Sequence, residues 1–171
     1  MNKATTVIKF QPVQTVPKTV ADVPKVIVFP PFLFLGAVIS GTALQYFWPI
    51  HPSAALAVRI VGATLALAGV AVVLAAKKSL RRAGTNVRPD RPTTAVVSDG
   101  PYRFTRNPIY LGASIAYLGV TLLLNVFWPI PALLPFFALL HWGVVQREEL
   151  YLERKFGDAY LAYKNRVRRW L

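Results

Sequence analysis

Runs of apolar residues as long as a membrane is thick alternate along this chain with segments rich in cations. Residues 26–48 carry no formal charge, 54–76 carry only Arg59, and 108–146 again carry none. A helix needs about 20 apolar residues to cross a hydrocarbon core about 30 Å thick, so the first two runs each predict one crossing. The third run is too long for one. It breaks at Asn125-Val126-Phe127-Trp128-Pro129, where a turn residue meets a proline suited to a first helical turn, and this predicts two shorter crossings over 108–124 and 130–146. The expected fold is all-α: an integral membrane bundle of about four transmembrane helices, followed by an amphipathic cytoplasmic helix. That last helix is read from Tyr160, Tyr163, Val167 and Trp170, spaced i, i+3, i+7, i+10 among Lys164, Arg166, Arg168 and Arg169. It can lie on the anionic leaflet or cap a cleft.

Composition agrees, at 54% hydrophobic and 16% charged, where soluble domains hold about 25% charged residues. Lys+Arg 20 against Asp+Glu 7 gives a net charge of +13, which would ordinarily point to nucleic acid. The distribution of those charges redirects the reading. All the basic residues except Arg59 lie in 1–25, 77–107 and 147–171, three segments that four crossings place on one side. The positive-inside rule makes that side cytoplasmic, with both ends of the chain on it, and leaves no role for nucleic acid. Arg59, five residues into its run, is read as snorkelling outward. The chain divides into a flexible basic arm over 1–25, a first transmembrane hairpin over 26–76, and a region over 77–171 made of a cytoplasmic loop, a second hairpin and the final helix. The arm holds no apolar stretch of signal-peptide type, so it is taken as retained.

There is no cysteine, which removes disulfides, zinc–thiolate and iron–sulfur sites and a thiol nucleophile. With only His51 and His141, no metal site is expected. Gly36 and Ser40, Gly62 and Ala66, Gly112 and Ala116, and Gly119 recur at helical spacing and predict close helix contacts in lipid. Phe47-Trp48-Pro49-Ile50 recurs as Phe127-Trp128-Pro129-Ile130, read as two similar membrane-edge turns.

Polar chemistry gathers in two stretches on the cytoplasmic face. In the first, Asn107 before Pro108 reads as an N-cap with proline at the first helical position, offering free N–H groups to an anion such as a carboxylate. Tyr110 and Gly112 follow, one an aromatic wall and the other giving room. Taken singly, each of these residues is also what an ordinary helix start with interfacial anchors would show. In the second, Glu148 and Glu149 emerge from the last crossing about 100° apart on a helix, so at most one faces a cleft. Pairing in solvent with Arg147, Arg154 or Lys155 is the alternative for both. His141 is either a helix–helix hydrogen-bonding residue or part of a polar cavity. The phosphate, dinucleotide, zinc-protease and serine-hydrolase signatures are missing.

Gly100-Pro101-Tyr102-Arg103-Phe104-Thr105-Arg106-Asn107-Pro108-Ile109-Tyr110-Leu111-Gly112, then Glu148-Glu149, then Phe156-Gly157-Asp158-Ala159-Tyr160-Leu161-Ala162-Tyr163-Lys164 followed by Val167, resemble the isoprenylcysteine carboxyl methyltransferase family in a bacterial-type form, a family related to the phospholipid methyltransferases. The resemblance covers about residues 80–171, with three motifs in the right order. It implies a membrane-embedded methyltransferase, in a bacterial inner membrane, that uses S-adenosylmethionine without a Rossmann domain and takes its acceptor from the lipid side. Cofactor contacts would fall on Thr94, Val96, Val97, Tyr102, Asn107, Pro108, Ile109, Tyr110 and Glu148. The eukaryotic isoprenylcysteine enzymes carry His where this chain has Thr94 and Asn107, and a substrate-linked Arg where it has Val144, so a prenylcysteine acceptor is not expected. Arg106 and Arg147 are stand-ins for that lost contact. An ionised carboxylate acceptor needs no base, and a hydroxyl or amine would; Arg106, Glu149 and His141 are the candidates for a catalytic part, with no base assigned. The expected acceptor is a small lipophilic carboxylate or hydroxyl compound. A phospholipid amine, or a non-enzymatic anchoring role for the basic face, are the alternatives.

Overall fold

The computed structural model describes residues 23–51, 55–87 and 91–171. Most of the basic arm, and Pro52, Ser53, Arg88 and Asp90 in the connections, lie outside them. Six α-helices, a single 3-10 turn at Gly100–Arg103 and no strand occur among the described residues: α1 Pro30–Phe47, α2 Leu56–Arg82, α3 Pro108–Leu123, α4 Pro129–Leu140, α5 Gln146–Phe156 and α6 Asp158–Arg166. A π turn, His141–Val145, joins α4 to α5 without a break, so that Pro129–Phe156 is one helical rod of 28 residues.

Three helices are long and apolar enough to cross a membrane: Pro30–Phe47, Leu56–Arg82 and Pro129–Phe156. The fourth expected crossing, α3, is apolar but only 16 residues long, about 24 Å of helix. Asn125, with φ 54°, follows its end. The α1 crossing starts four residues later than the hydropathy suggests, because Pro30 and Pro31 hold Phe29 extended (ψ 122°). The α2 helix runs past its apolar block through Lys77, Lys78, Arg81 and Arg82, whose cations suit the negative end of the helix dipole. Arg59 sits exposed in the first turn of α2.

Packing is between α1 and α4 and between α2 and α3. The α2–α3 contact is antiparallel and glycine-lined: a Cβ on Gly69 would overlap the Ala116 backbone, and one on Gly119 would overlap that of Ala66. Gly112 gives its room to α2 in the same way. Gly36 faces Phe136 and Gly41 faces Pro129 across the α1–α4 contact. Without a hydrophobic drive between helices in lipid, such backbone approach is what holds them together. Outward faces are apolar, as at Leu67, 73% exposed. Leu33, Leu140, Val144 and Val145 form the core between α1 and the rod.

The two Phe-Trp-Pro-Ile turns meet at the end away from the polar loops. Trp128 Nε1 donates to Trp48 O (2.6 Å), Phe127 N–H donates to Gln45 Oε1 (3.1 Å), and His51 Nδ1 lies 2.9 Å from Asn125 O. At the other end the tail differs from the expected continuous amphipathic helix. The α6 helix stops at Arg166, Val167 is extended (φ −123°, ψ 129°), and Trp170 packs on Phe137 at 4.8 Å instead of joining Tyr160 and Tyr163 on a helix face.

Candidate functional site

A cleft of about 440 Å³ opens between the start of α1, the end of α2, the loop before α3 and the α5–α6 corner. Each wall follows from local sequence. Gly100 takes φ +56°, and a Cβ there would strike Ser79 Oγ, so the Gly100–Arg103 turn lies against α2. Tyr102 is thereby buried beside Ala76 and Val97. Tyr163 OH donates to Tyr102 O at 2.9 Å, which ties α6 to the same turn. Pro108 then starts α3, with Leu111 N–H donating to Asn107 O.

The expected cofactor residues Val96, Val97, Tyr102, Asn107, Pro108, Ile109, Tyr110 and Glu148 all line this one cleft, and so does Arg106. Thr94 does not. Its Oγ1 donates to Gly84 O (3.0 Å) and its N–H to Thr85 Oγ1 (2.9 Å), so it fastens the loop to the end of α2 instead of facing a ligand. Asn107 occupies the N-cap position without capping: its φ −123°, ψ 50° backbone brings no side-chain cap bond. Its Nδ2 donates instead to Arg169 O at 2.9 Å.

The glutamate pair divides as the helical angle requires. Glu148 lines the cleft, where Tyr110 OH donates to its Oε1 at 2.8 Å. Its Oε2 has no protein partner among the described residues. Glu149, 4% exposed, lies off the cleft and pairs with Arg106 (2.9 Å) and Arg169 (2.8 Å). The solvent pairing with Arg147, Arg154 or Lys155 is not what forms; Arg147, for example, donates to Lys25 O. His141 also lies off the cleft, accepting from Trp170 Nε1 at Nδ1 (3.3 Å). A proton-transfer role for Glu149 or His141 therefore has no support in their positions, whereas Arg106 is in the wall. Arg106 uses Nη1 on Lys164 O and Nη2 on Glu149, and its Nε is buried with no partner among the described residues.

Sequence reasoning missed part of the wall. Phe29, Pro30, Pro31 and Phe34 come from α1 and the turn before it, Val73, Lys77 and Leu80 from α2, Tyr151 and Leu152 from α5, and Tyr160 and Tyr163 from α6. Tyr151 and Leu152 stand three and four positions after Glu148, on its side of the helix, a signal that was available. Nothing in the apolar α1 residues distinguishes them from lipid-facing ones. Burial pushes the Tyr102, Tyr160 and Tyr163 phenols well above their usual range, with Tyr163 and the carboxylates of Glu148 and Asp99 adding to the effect at Tyr102. All three stay protonated hydrogen-bond donors. The cleft thus combines apolar lining with phenols, two amides, a carboxylate and two cationic side chains.

The phospholipid methyltransferase family matches residues 57–159 of the chain. An uncharacterized protein of Haemophilus influenzae is 41% identical over 63 residues, covering 37% of this chain and 79% of that protein. The protein-S-isoprenylcysteine O-methyltransferase of Schizosaccharomyces pombe is 38% identical over 76 residues, covering 42% of this chain and 30% of that enzyme. No solved structure matches the chain. The family implies S-adenosylmethionine as methyl donor, and the apolar helices imply integration into a membrane. A family match over more than half the chain, on a bundle with three helices long and apolar enough to cross a membrane, identifies the chain as a membrane methyltransferase of the phospholipid methyltransferase family.

Proposed function

We propose that the cleft binds S-adenosylmethionine through its polar lining and a small lipophilic acceptor, a carboxylate or hydroxyl compound, against its apolar lining, at the cytoplasmic face of a bacterial inner membrane with both chain ends cytoplasmic. The observation that carries this is the convergence of Tyr102, Asn107, Tyr110 and Glu148 on one cleft that Phe29, Pro30 and Phe34 also line. The residues fit the cofactor: Asn107 Oδ1 and Glu148 Oε2 are acceptors with no partner among the described residues, suited to ammonium or hydroxyl donors, and the phenols supply donors and aromatic faces. The volume lies within the range of small-molecule sites. When bound, the cofactor supplies a methyl group on a sulfonium for in-line transfer.

What the chain contributes is alignment and dryness. Tyr110 holds the Glu148 carboxylate in one orientation, and the apolar walls keep water from the acceptor. Lys77 and Arg106 in the wall favour an acceptor that is already anionic, which needs no base. The family description favours a phospholipid amine as the second reading. Calorimetry on the purified protein in detergent tests the first step: S-adenosylhomocysteine should bind, and Glu148→Gln should weaken it about tenfold, the loss of one charge-assisted bond. Absence of any binding heat with the wild type would overturn the reading. Comparing membrane lipids with and without the protein separates the two acceptors, since amine methylation changes the headgroups and carboxylate methylation does not.

A further inference from the structure

Residues 167–171 form a strap that turns back over the start of α3, and its main chain does most of the bonding. Arg106 N–H donates to Arg168 O (3.0 Å), Thr105 Oγ1 to Arg169 O (3.0 Å), and Asn107 Nδ2 to the same oxygen (2.9 Å). Arg169 adds a two-point contact to the buried Glu149, at 3.0 and 2.8 Å. Neither Arg169 nor Trp170 lines the cleft, while Arg106 and Asn107 do. A carbonyl oxygen can only accept, so Arg169 O takes the N–H side of the Asn107 amide. That choice leaves the oxygen of Asn107, a cleft-lining residue, without a partner among the described residues. The same strap holds Arg106 through its backbone and, by way of Glu149, through its side chain, whose Nε is buried and still without a partner.

We infer that the strap is a positioning element of the site: docking of residues 167–171 fixes Asn107 as a hydrogen-bond acceptor and locks Arg106, so that strap docking and ligand binding are coupled. The inference rests on the methyl-donor reading, because the ligand whose donor groups Asn107 would meet is the cofactor. Arg169 acts through Glu149, Arg106 and Asn107 and is a positioning residue. The chemical requirement is specific. An Asp at position 107 would set a second acceptor against Arg169 O and push the strap away, although it would keep an acceptor for the ligand.

Two measurements on the full chain in detergent test the coupling. Amide hydrogen exchange of the wild type is followed with and without saturating S-adenosylhomocysteine, and affinity for that ligand is compared among wild type, Arg169→Ala, Arg169→Lys and Asn107→Asp. Coupling predicts that ligand slows exchange at 105–107 and 167–170 together. It predicts that Arg169→Ala binds about tenfold more weakly and that Arg169→Lys recovers most of the loss, as expected for one charge-assisted contact. Asn107→Asp should both weaken binding and speed exchange in the strap. Wild-type binding with unchanged strap exchange, or an Arg169→Ala affinity within about twofold of wild type, overturns the inference while leaving the methyl-donor reading standing. Wild type that does not bind the ligand overturns both. Should Arg169→Ala fail to fold, the wild-type exchange measurement decides alone.

Discussion

Glu148 and Glu149 are neighbours in sequence and sit in different surroundings, one in a cleft wall and the other between two guanidinium groups. Substitution should separate them. Glu148→Gln keeps the size and the bond from Tyr110, so the unfolding midpoint in detergent should stay close to wild type while ligand affinity falls. Glu149→Gln removes the countercharge of Arg106, which is 8% exposed, and a charge left buried without its partner costs about 3–5 kcal/mol. A lowered midpoint for Glu149→Gln, read by thermal unfolding without ligand, checks this, and an unchanged one would contradict the ion-pair account. The Glu-Glu motif and the 100° angle made the division legible in the sequence, and the resemblance named Glu148 for the cofactor, but nothing in the motif shows what holds Glu149. Both of its partners are distant in the chain: Arg106 lies 43 positions before Glu149 and Arg169 lies 20 after it.

At the scale of elements, crossing helices announce themselves by length and hydropathy, while their pairing does not. In lipid the outward face is as apolar as the inward one, so the periodicity that marks a buried face in a soluble helix is missing. Small residues are the remaining signal. Gly62, Ala66, Gly112, Ala116 and Gly119 do fall in the α2–α3 contact, and Gly36 falls in the α1–α4 contact; Gly69 and Gly41 belong to the same two contacts and stood outside the spacing pattern. Gly69→Val and Gly119→Val would each force the α2 and α3 backbones apart. Overpacking of this kind costs about 1–3 kcal/mol or more. Each variant should unfold at lower temperature than wild type, whereas Gly84→Ala, at a turn with no neighbour within 4 Å, should lose only the strain of its positive φ, about 1 kcal/mol. The strap escaped the sequence for another reason. Val167 and Trp170 continue a helical spacing by chance, and the bonds that replace the helix are made by carbonyl groups, which every residue possesses.

For the whole molecule, the segregation of charge carries the topology. Every basic side chain among the described residues except Arg59 belongs to the end that holds the cleft, and the Trp48–Trp128 clasp closes the other. The chain has no cysteine, so single reporters can be placed at will. Ile50→Cys should react with a membrane-impermeant maleimide added outside right-side-out vesicles, and Arg103→Cys should react only after the vesicles are opened. The reverse pattern would invert the orientation, and labelling of both from one side would contradict the crossing by α2, the one helix of membrane-spanning length between the two positions. That both ends of the cleft wall come from helices on either side of the 16-residue α3 also explains why the chemistry was readable only in part. The motifs that carry the resemblance supply polar lining residues, where particular atoms matter, and the apolar lining is built from side chains that could replace one another.

The π turn at His141–Val145 gives this architecture an angular setting one residue wide. A turn of this type holds one residue more than an α turn, and so it offsets everything beyond it by about 100° relative to the apolar part of the rod. Glu148 reaches the cleft with that offset in place. Were the same residues wound as α-helix throughout, everything beyond the turn would advance by that angle, bringing Arg147 round to the wall and carrying Glu148 to the two arginines. Glu148 and Glu149 are therefore in phase with their two destinations only because the rod is locally unwound. The wide turn acts as a fixed rotary offset between the membrane anchor and the site it carries.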